Sequence, residues 1–288
     1  MSDPDFLLSA AGVQMPRLIY GTAWKKQQTA GLVTQALNLG FRGIDTACQP
    51  KHYHEAGVGT GLAACLKQGL SRSQIYLQSK FTPLDGQDPL QVPYSPQASL
   101  SEQVLQSFQT SLENLGTDYL DGLLLHSPLA DPHQLMEVWQ GMEQIYASGA
   151  VKQLGISNCY AVTQFKTLYA KARVKPALIQ NRFYARTGYD WELREFCRDR
   201  QIVYQSFWTL TANPQVLAHA SLQALALNYQ RSPAQLFFRY LSQIGIQPLT
   251  GTSSAEHMRA DLAIFDFSLS RAECAAISSV LQAMPTGA

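Results

Sequence analysis

Short apolar runs and longer segments of helical periodicity alternate along this chain, and the alternation repeats eight times. The runs are continuously apolar rather than alternating, which is typical of strands buried on both faces. Eight strands that alternate with helices over about 250 residues predict a (β/α)8 TIM barrel. The runs are Leu18–Trp24, Arg42–Ala47, Ile75–Phe81, Asp121–His126, Lys152–Asn158, Leu178–Tyr184, Ile202–Trp208 and Ile246–Thr252.

Three of the intervening segments carry helix start and stop signals. Thr29–Leu39 and Ser99–Leu115 are amphipathic, and each is followed by a glycine suited to end a helix. Asp131–Ser148 starts with Asp131-Pro132, a cap residue followed by proline at the first helical position. These boundaries support the assignment of the apolar runs as strands.

An open, doubly wound sheet is the main alternative fold. Such a sheet usually carries a glycine-rich fingerprint in its first strand–helix turn, whereas that turn reads GTAWKKQQTAG here. Strand number and this turn both favour the barrel. Ahead of it, Phe6–Leu8, Gly12 and a second short run indicate an N-terminal β-hairpin that covers the barrel bottom. We expect residues 1–288 to form a single barrel domain.

Composition excludes several classes of function. The 288 residues carry a formal net charge of +1, so no overall basic field would attract nucleic acid or anionic membrane. No secretory signal, membrane-length apolar stretch or metal-type cluster of His, Cys and Asp is recognisable. Five scattered cysteines favour a reducing compartment. We therefore expect a cytoplasmic protein that binds neither metal, membrane nor nucleic acid, and we take a monomer as the default.

Polar residues follow three neighbouring predicted strands. Asp45, Lys80 and His126 each stand at a strand end, and Tyr53 lies in the loop after the second strand. Each alone has an ordinary explanation, such as a helix cap, a solvated lysine or a core histidine. Together they converge on the C-terminal mouth, where barrel enzymes place their sites.

This set suits proton transfer to a carbonyl oxygen. A free tyrosine has a pKa of about 10, and the Lys80 ammonium is expected to lower the pKa of Tyr53. Asp45 would hold Lys80 charged, and His126 would orient the substrate oxygen. The set contains no hydride source, so it requires a redox cofactor.

Segments spread along the chain resemble the aldo-keto reductase family: GTAW (21–24), GIDTA (43–47), QSKF (78–81), LLLHSP (123–128), GAVKQLGISN (149–158) and DLAIFDFSLS (261–270). They stand in the family's order. The resemblance implies a catalytic tetrad of Asp45, Tyr53, Lys80 and His126, with Tyr53 as the general acid. It also implies NAD(P)H-dependent reduction of an aldehyde or ketone.

The same resemblance implies which residues contact the cofactor and substrate. Ser157, Asn158 and Gln180 match the residues that hold the nicotinamide carboxamide. Trp24 matches a position near the substrate, and Ser206–Leu210 match the loop around the pyrophosphate. Trp208, in a loop after a strand, is expected to contact the substrate as well. The remaining implied cofactor contacts are Thr22, Gln205, Ser206, Phe207, Thr209, Leu210, Thr250, Gly251, Thr252, Ser253, His257 and Asp261.

Three positions depart from the family pattern. The spacing from Asp45 to Tyr53 is longer than usual, so His52 is an alternative for the acid position. Gln205 stands where an aromatic residue usually packs on the nicotinamide, and Phe207 or Trp208 would have to replace it. Many NADP-preferring members carry Lys and Arg around the 2′-phosphate, and the matching positions here are Gly251 and His257. NADP(H) is favoured over NAD(H), but the missing cations leave this preference unfixed.

Two rival functions fit parts of the sequence. A cofactor-binding sensor with little turnover would tolerate both the shifted tyrosine and Gln205. A lyase or isomerase would use Asp45 and Lys80 without nicotinamide. The loop residues that set the substrate include Thr82–Ala98, and aromatic residues such as Trp24 and Tyr94 favour an apolar or aromatic carbonyl compound.

Overall fold

Eight parallel strands close into a barrel in this computed structural model, which describes residues 6–286. A two-stranded antiparallel hairpin precedes it, formed by β1 (Phe6–Leu8) and β2 (Gln14–Pro16). Each barrel strand pairs with its chain neighbours, and the last pairs with the first. The barrel strands are β3 (Ile19–Gly21), β4 (Gly43–Asp45), β5 (Tyr76–Phe81), β6 (Gly122–Leu125), β7 (Leu154–Ser157), β8 (Leu178–Arg182), β9 (Val203–Phe207) and β10 (Ile246–Thr250).

Helices surround the barrel and connect successive strands. They are α1 (Thr29–Leu39), α2 (Glu55–Lys67), α3 (Leu100–Leu115), α4 (Pro132–Ala147), α5 (Val162–Lys171), α6 (Trp191–Arg198), α7 (Pro214–Leu217), α8 (Ala220–Tyr229), α9 (Pro233–Gln243), α10 (Ala255–Leu262) and α11 (Arg271–Gln282). The predicted (β/α)8 barrel and its N-terminal hairpin are thus confirmed.

The predicted strands are present but shorter than the apolar runs. The run Leu18–Trp24, for example, keeps strand geometry only over β3. The chain leaves the sheet there because Trp24 has a φ of 64°, which is incompatible with a strand. Apolar residues at strand ends therefore enter the loops that carry the site.

Local signals set the helix boundaries. Ser99 accepts a hydrogen bond from the Glu102 amide and forms a capping box at the start of α3. The helix ends at Gly116, whose φ of 64° lies in the left-handed region that glycine adopts without strain. Asp131 caps α4 by accepting from the amides of His133 and Gln134.

The interior of the barrel is layered, and the layers position the site. At the N-terminal end, Met15 of the hairpin packs with Ile19, Tyr76, Leu178 and other apolar side chains. Above it lies a layer of buried amides, formed by Gln78, Gln180, Gln205 and Gln247. The third layer is the open C-terminal mouth. The apolar base and the amide layer thus form a closed floor under the mouth.

Single-domain organisation over 1–288 stays a prediction, and residues 1–5 and 287–288 lie outside the described residues. Among the helices of residues 6–286, none combines the length and apolarity needed to cross a membrane.

Candidate active site

A cavity of about 1040 Å³ opens at the C-terminal ends of the barrel strands. Drug-sized pockets usually occupy about 300–1000 Å³, so this one has room for a dinucleotide and a small second molecule. Three of the four predicted catalytic residues line it, namely Asp45, Tyr53 and His126. Lys80 lies directly behind its wall and is only 1 % exposed.

The Asp45–Lys80 pair is buried and fully bonded. Lys80 Nζ donates to Asp45 Oδ1 at 2.6 Å, to Asp45 Oδ2 at 2.7 Å and to the Thr46 carbonyl at 2.9 Å. Burial lowers the pKa of Lys80, and the charge of Asp45 opposes that shift. Three acceptors use the three ammonium protons, so the lysine is fixed in one orientation.

Tyr53 lies against this pair. Lys80 Nζ is 5.2 Å from the centre of the Tyr53 ring, and the ring meets His126 edge-on at 5.8 Å. Burial, and then the charge of Asp45, raise the pKa of Tyr53 above its ordinary value. This direction is opposite to the lowering expected from Lys80 alone. Burial is the largest cause of the raised pKa, and it outweighs the lowering that was expected from Lys80.

The alternative acid, His52, faces a different group. Its ring stacks on Trp24 with centroids 4.0 Å apart, at the rim of the cavity. Burial, and then the Lys51 charge, lower the pKa of His52. Because Tyr53 contacts Lys80 and His52 contacts Trp24, the geometry favours Tyr53 in the acid position.

His126 is held on two sides. Its Nδ1 is 2.7 Å from the Thr82 hydroxyl, and its backbone carbonyl accepts from Asn158 Nδ2 at 2.9 Å. Burial, and then the charge of Lys80, lower the pKa of His126 to about 3. The imidazole is therefore neutral at pH 7, and one ring nitrogen is left to face the cavity.

The amide layer supports Asp45 from below. Gln78 Nε2 and Gln180 Nε2 donate to Asp45 Oδ1 at 2.7 and 3.0 Å. Gln205 Oε1 accepts from both amides at 2.9 Å, and Gln205 Nε2 donates to Gln78 and Gln247. Gln205 is fully buried in this layer and does not reach the cavity surface. Its side chain thus serves the carboxylate network, and Phe207 on the same face of β9 lines the cavity instead.

Most of the implied cofactor and substrate contacts share this cavity: Trp24, Ser157, Asn158, Gln180, Phe207, Trp208, Thr209, Leu210, Thr250, Gly251, Thr252, His257 and Asp261. Four do not line it, namely Thr22, Gln205, Ser206 and Ser253. The Thr22 hydroxyl donates to the Asp45 carbonyl at 2.9 Å, and the Ser206 hydroxyl pairs with Thr209 at 3.0 Å. Thr22 and Ser206 therefore hold residues that line the cavity, Asp45 and Thr209, and do not form the wall themselves.

The cavity wall beyond β10 combines helix amides that suit an anionic nucleotide with a carboxylate that does not. Ser254 caps α10, so the first-turn amides of that helix stand close to Thr252 and His257. Burial raises the pKa of Asp261 to about 6, and its carboxylate accepts from the Thr250 hydroxyl at 2.6 Å. Within residues 6–286, no group of three His, Cys, Asp or Glu side chains is placed to hold a metal ion.

Three residues around the cavity have left-handed backbone conformations. Trp24, Asn158 and Trp208 have φ values of 64°, 55° and 54°. For a tryptophan this conformation costs free energy, and such strain persists where the surrounding structure enforces it. All three follow a barrel strand, so strained residues gather at this mouth.

Sequence reasoning missed several residues of the cavity wall, among them Lys25, Gln49, Arg182, Ser232, Gln235 and Glu256. Arg182 had a usable signal, because it stands two residues after Gln180 on the same face of β8. Tyr94, by contrast, was expected among the substrate residues. It is buried against Phe81 and donates to the Thr82 carbonyl at 2.9 Å, so it supports the wall from outside.

Comparisons with known proteins identify the family of this chain. The model of the Aldo/keto reductase family matches residues 17–282. The uncharacterized oxidoreductase YtbE of Bacillus subtilis (strain 168) is 29% identical over 279 residues, covering 96% of this chain and 92% of that protein. The glyoxal reductase of the same organism is 29% identical over 264 residues, covering 90% of this chain and 87% of that protein.

A solved structure shows the same fold. The Bombyx mori aldo-keto reductase AKR2E4, crystallised in complex with NADP, superposes with a TM-score of 0.80 at 24% identity, covering 95% of this chain and 92% of that one. With its barrel, its converging polar residues and a family match over nearly its whole length, this chain belongs to the aldo/keto reductase family, a family of oxidoreductases.

Proposed function

We propose that this protein reduces an aldehyde or ketone to the alcohol with NADPH or NADH, with NADP(H) preferred. The observation that carries the proposal is the cluster of Asp45, Tyr53, Lys80 and His126 at the closed floor of a cavity of about 1040 Å³. A glyoxal reductase among the relatives supports carbonyl reduction as the reaction class.

Bound NAD(P)H would supply the hydride for the carbonyl carbon, and the side chains of this chain would supply the proton. Tyr53 donates its hydroxyl proton to the carbonyl oxygen. The phenol is protonated at neutral pH, but its raised pKa makes it a weaker acid, so proton transfer depends on stabilisation of the phenolate. Lys80, fixed by Asp45, stabilises the phenolate as the proton leaves.

His126 orients the carbonyl group. We assign the Thr82 hydroxyl as donor to His126 Nδ1, which places the imidazole proton on Nε2. A neutral imidazole with its proton on Nε2 donates one hydrogen bond to the substrate oxygen. A charged imidazolium would compete with Tyr53 as the proton source, and the lowered pKa prevents this.

The polar lining of the wall fits a nicotinamide dinucleotide. Gln180 lines the cavity beside Ser157 and Asn158, and because its Nε2 donates to Asp45 and Gln205, its Oε1 is left to accept from a carboxamide. Lys25 and His257 lie on the side of Thr250–Thr252 and favour a phosphate, hence NADP(H). Glu256 lines the same wall and weakens that preference.

A fluorescence titration of the purified protein with NADPH and, separately, NADH tests the proposal, followed by addition of 4-nitrobenzaldehyde. We expect saturable binding, tighter for NADPH, and loss of the nicotinamide absorbance after the aldehyde is added. Binding without turnover of several aldehydes would support the cofactor-binding sensor instead. Absence of binding by either dinucleotide would contradict the reductase and leave the lyase or isomerase.

A further inference from the structure

Arg182 carries a charge that the protein leaves without a polar partner. It is the last residue of β8, on the same face as Gln180, and it lines the cavity. Within residues 6–286, its guanidinium forms no ion pair and no hydrogen bond, although its Nε is buried. A guanidinium stays protonated in proteins, so this is a permanent positive charge inside the cavity wall.

Aromatic rings hold this guanidinium in place. Its central carbon lies 4.2 Å from the centre of the Trp208 ring and 5.4 Å from that of Tyr184. A cation over an aromatic face is attracted electrostatically, and a planar guanidinium stacks well there. Stacking fixes the orientation of the group but leaves its N–H donors unused. A charge-bearing donor group that is partly buried and unpaired calls for an anionic oxygen partner from the ligand.

Arg182 lies on the wall that continues from His126. The Arg182 amide donates to the Tyr160 hydroxyl at 3.2 Å, that hydroxyl donates to Asn158 Oδ1 at 3.3 Å, and Asn158 Nδ2 donates to the His126 carbonyl. His126 follows β6 and Arg182 ends β8, and the one strand between β6 and β8 puts the two strand backbones about 10 Å apart. A molecule of a few carbon atoms can therefore place its carbonyl at His126 and its far end at Arg182.

We propose that Arg182 binds a carboxylate on the substrate, so that the preferred substrates are carbonyl compounds that also carry a carboxylate, such as oxo acids. This inference rests on the proposed reductase function. The same chemistry would suit the diphosphate of the cofactor. The substrate is favoured because Arg182 lies on the wall that continues from His126, whereas the other wall cation, Lys25, contacts the Gly251 carbonyl beside the nucleotide-side residues.

Matched substrates test the proposal. The ratio of kcat/KM for 4-carboxybenzaldehyde to that for its neutral methyl ester is measured in the wild type and in Arg182→Met, Arg182→Lys and the control Arg186→Met, whose arginine is exposed outside the cavity. We expect the ratio to fall about 10- to 100-fold in Arg182→Met, the scale of a charged hydrogen bond. The ratio should fall less in Arg182→Lys, because the charge remains, and the ratio in Arg186→Met should match that of the wild type.

A second readout separates this proposal from the reductase proposal. The affinity for 4-(hydroxymethyl)benzoate, and for NADPH, is measured by calorimetry in the wild type and in Arg182→Met. If neither aldehyde is reduced but the benzoate binds and Arg182→Met weakens it, the carboxylate site stands and the reductase proposal fails. An unchanged ratio or benzoate affinity in Arg182→Met would overturn the inference. So would a loss of NADPH affinity with an unchanged ratio, which would assign Arg182 to the cofactor diphosphate.

Discussion

The two sides of the cavity differ in how they hold their cations. On the β4–β6 side, Lys80 is buried, and each of its three protons has an acceptor within the protein. On the β8–β9 side, Arg182 rests on Trp208 and has no hydrogen-bond acceptor among the described residues. The β4–β6 side with Asp45 and Lys80, called the organised side below, has its charges paired before any ligand binds, as proton transfer requires. On the β8–β9 side, a ligand would supply the missing acceptor for Arg182, and such a contact can select among substrates.

Replacing Lys80 tests the organised side most severely. Lys80→Met leaves Asp45 buried without its cation, and we expect a loss of about 3–5 kcal/mol in the free energy of unfolding. Reduction should also become undetectable or nearly so. Urea denaturation measures the first effect, and an aldehyde-dependent NADPH assay measures the second.

Lys152→Met is the matched control for a lysine–aspartate pair. Lys152 Nζ is 2.7 Å from Asp121 Oδ1, but the lysine is 47 % exposed and Asp121 also bonds Arg72. Its loss should cost less than about 1 kcal/mol. Equal losses in Lys80→Met and Lys152→Met would contradict the expectation that the buried pair contributes more to stability than the exposed one.

Tyr53→Phe tests the proton donor alone. We expect kcat to fall by at least about 10²-fold, the usual scale for losing a general acid. Dissociation constants for NADPH should hardly change, since the hydroxyl is removed and the ring remains beside Lys80. Stopped-flow or steady-state assays with NADPH titrations measure both quantities. Full activity in Tyr53→Phe, together with loss of activity in His52→Phe, would transfer the acid role to His52.

From the sequence, the meeting of Asp45, Lys80 and His126 at one end of the barrel could be predicted, whereas the amide layer beneath them could not, for physical reasons. Asp45, Lys80 and His126 stand at consecutive strand ends, and parallel strands bring such ends to one edge whatever the details. The contact of Gln78 with Gln205 depends on which residues of β5 and β9 meet inside a closed barrel, 127 positions apart in the chain. That register is fixed by barrel closure and is invisible to local patterns.

Gln205→Leu tests whether the amide layer matters to the organised side. The change leaves a buried oxygen of Gln247 without its donor and removes the acceptor shared by Gln78 and Gln180. We expect a loss of about 1–3 kcal/mol in unfolding free energy. Thermal or urea unfolding measures it, with the exposed Gln109→Leu as a control expected within about 0.5 kcal/mol of wild type. A stable Gln205→Leu protein would show that the layer only fills space.

The smallest effect that we expect concerns the protonation state of His126, and it is specific to that residue. With the folded pKa lowered to about 3 and an unfolded pKa of about 6.5, the unfolded chain binds the extra proton between these values. This histidine therefore contributes its full stability above pH 6.5, and the contribution is lost as the pH falls towards 3.

NMR titration of the histidine ring signals measures the His126 pKa directly, with the His126 signal assigned by its loss in His126→Gln. We expect that signal to show no titration above pH 5. A midpoint near 6.5 for His126 would mean that the imidazole becomes charged beside Lys80 in mildly acidic solution. In that case His126 would compete with Tyr53 as the proton donor, and the catalytic side would be less strictly organised than its hydrogen bonds indicate.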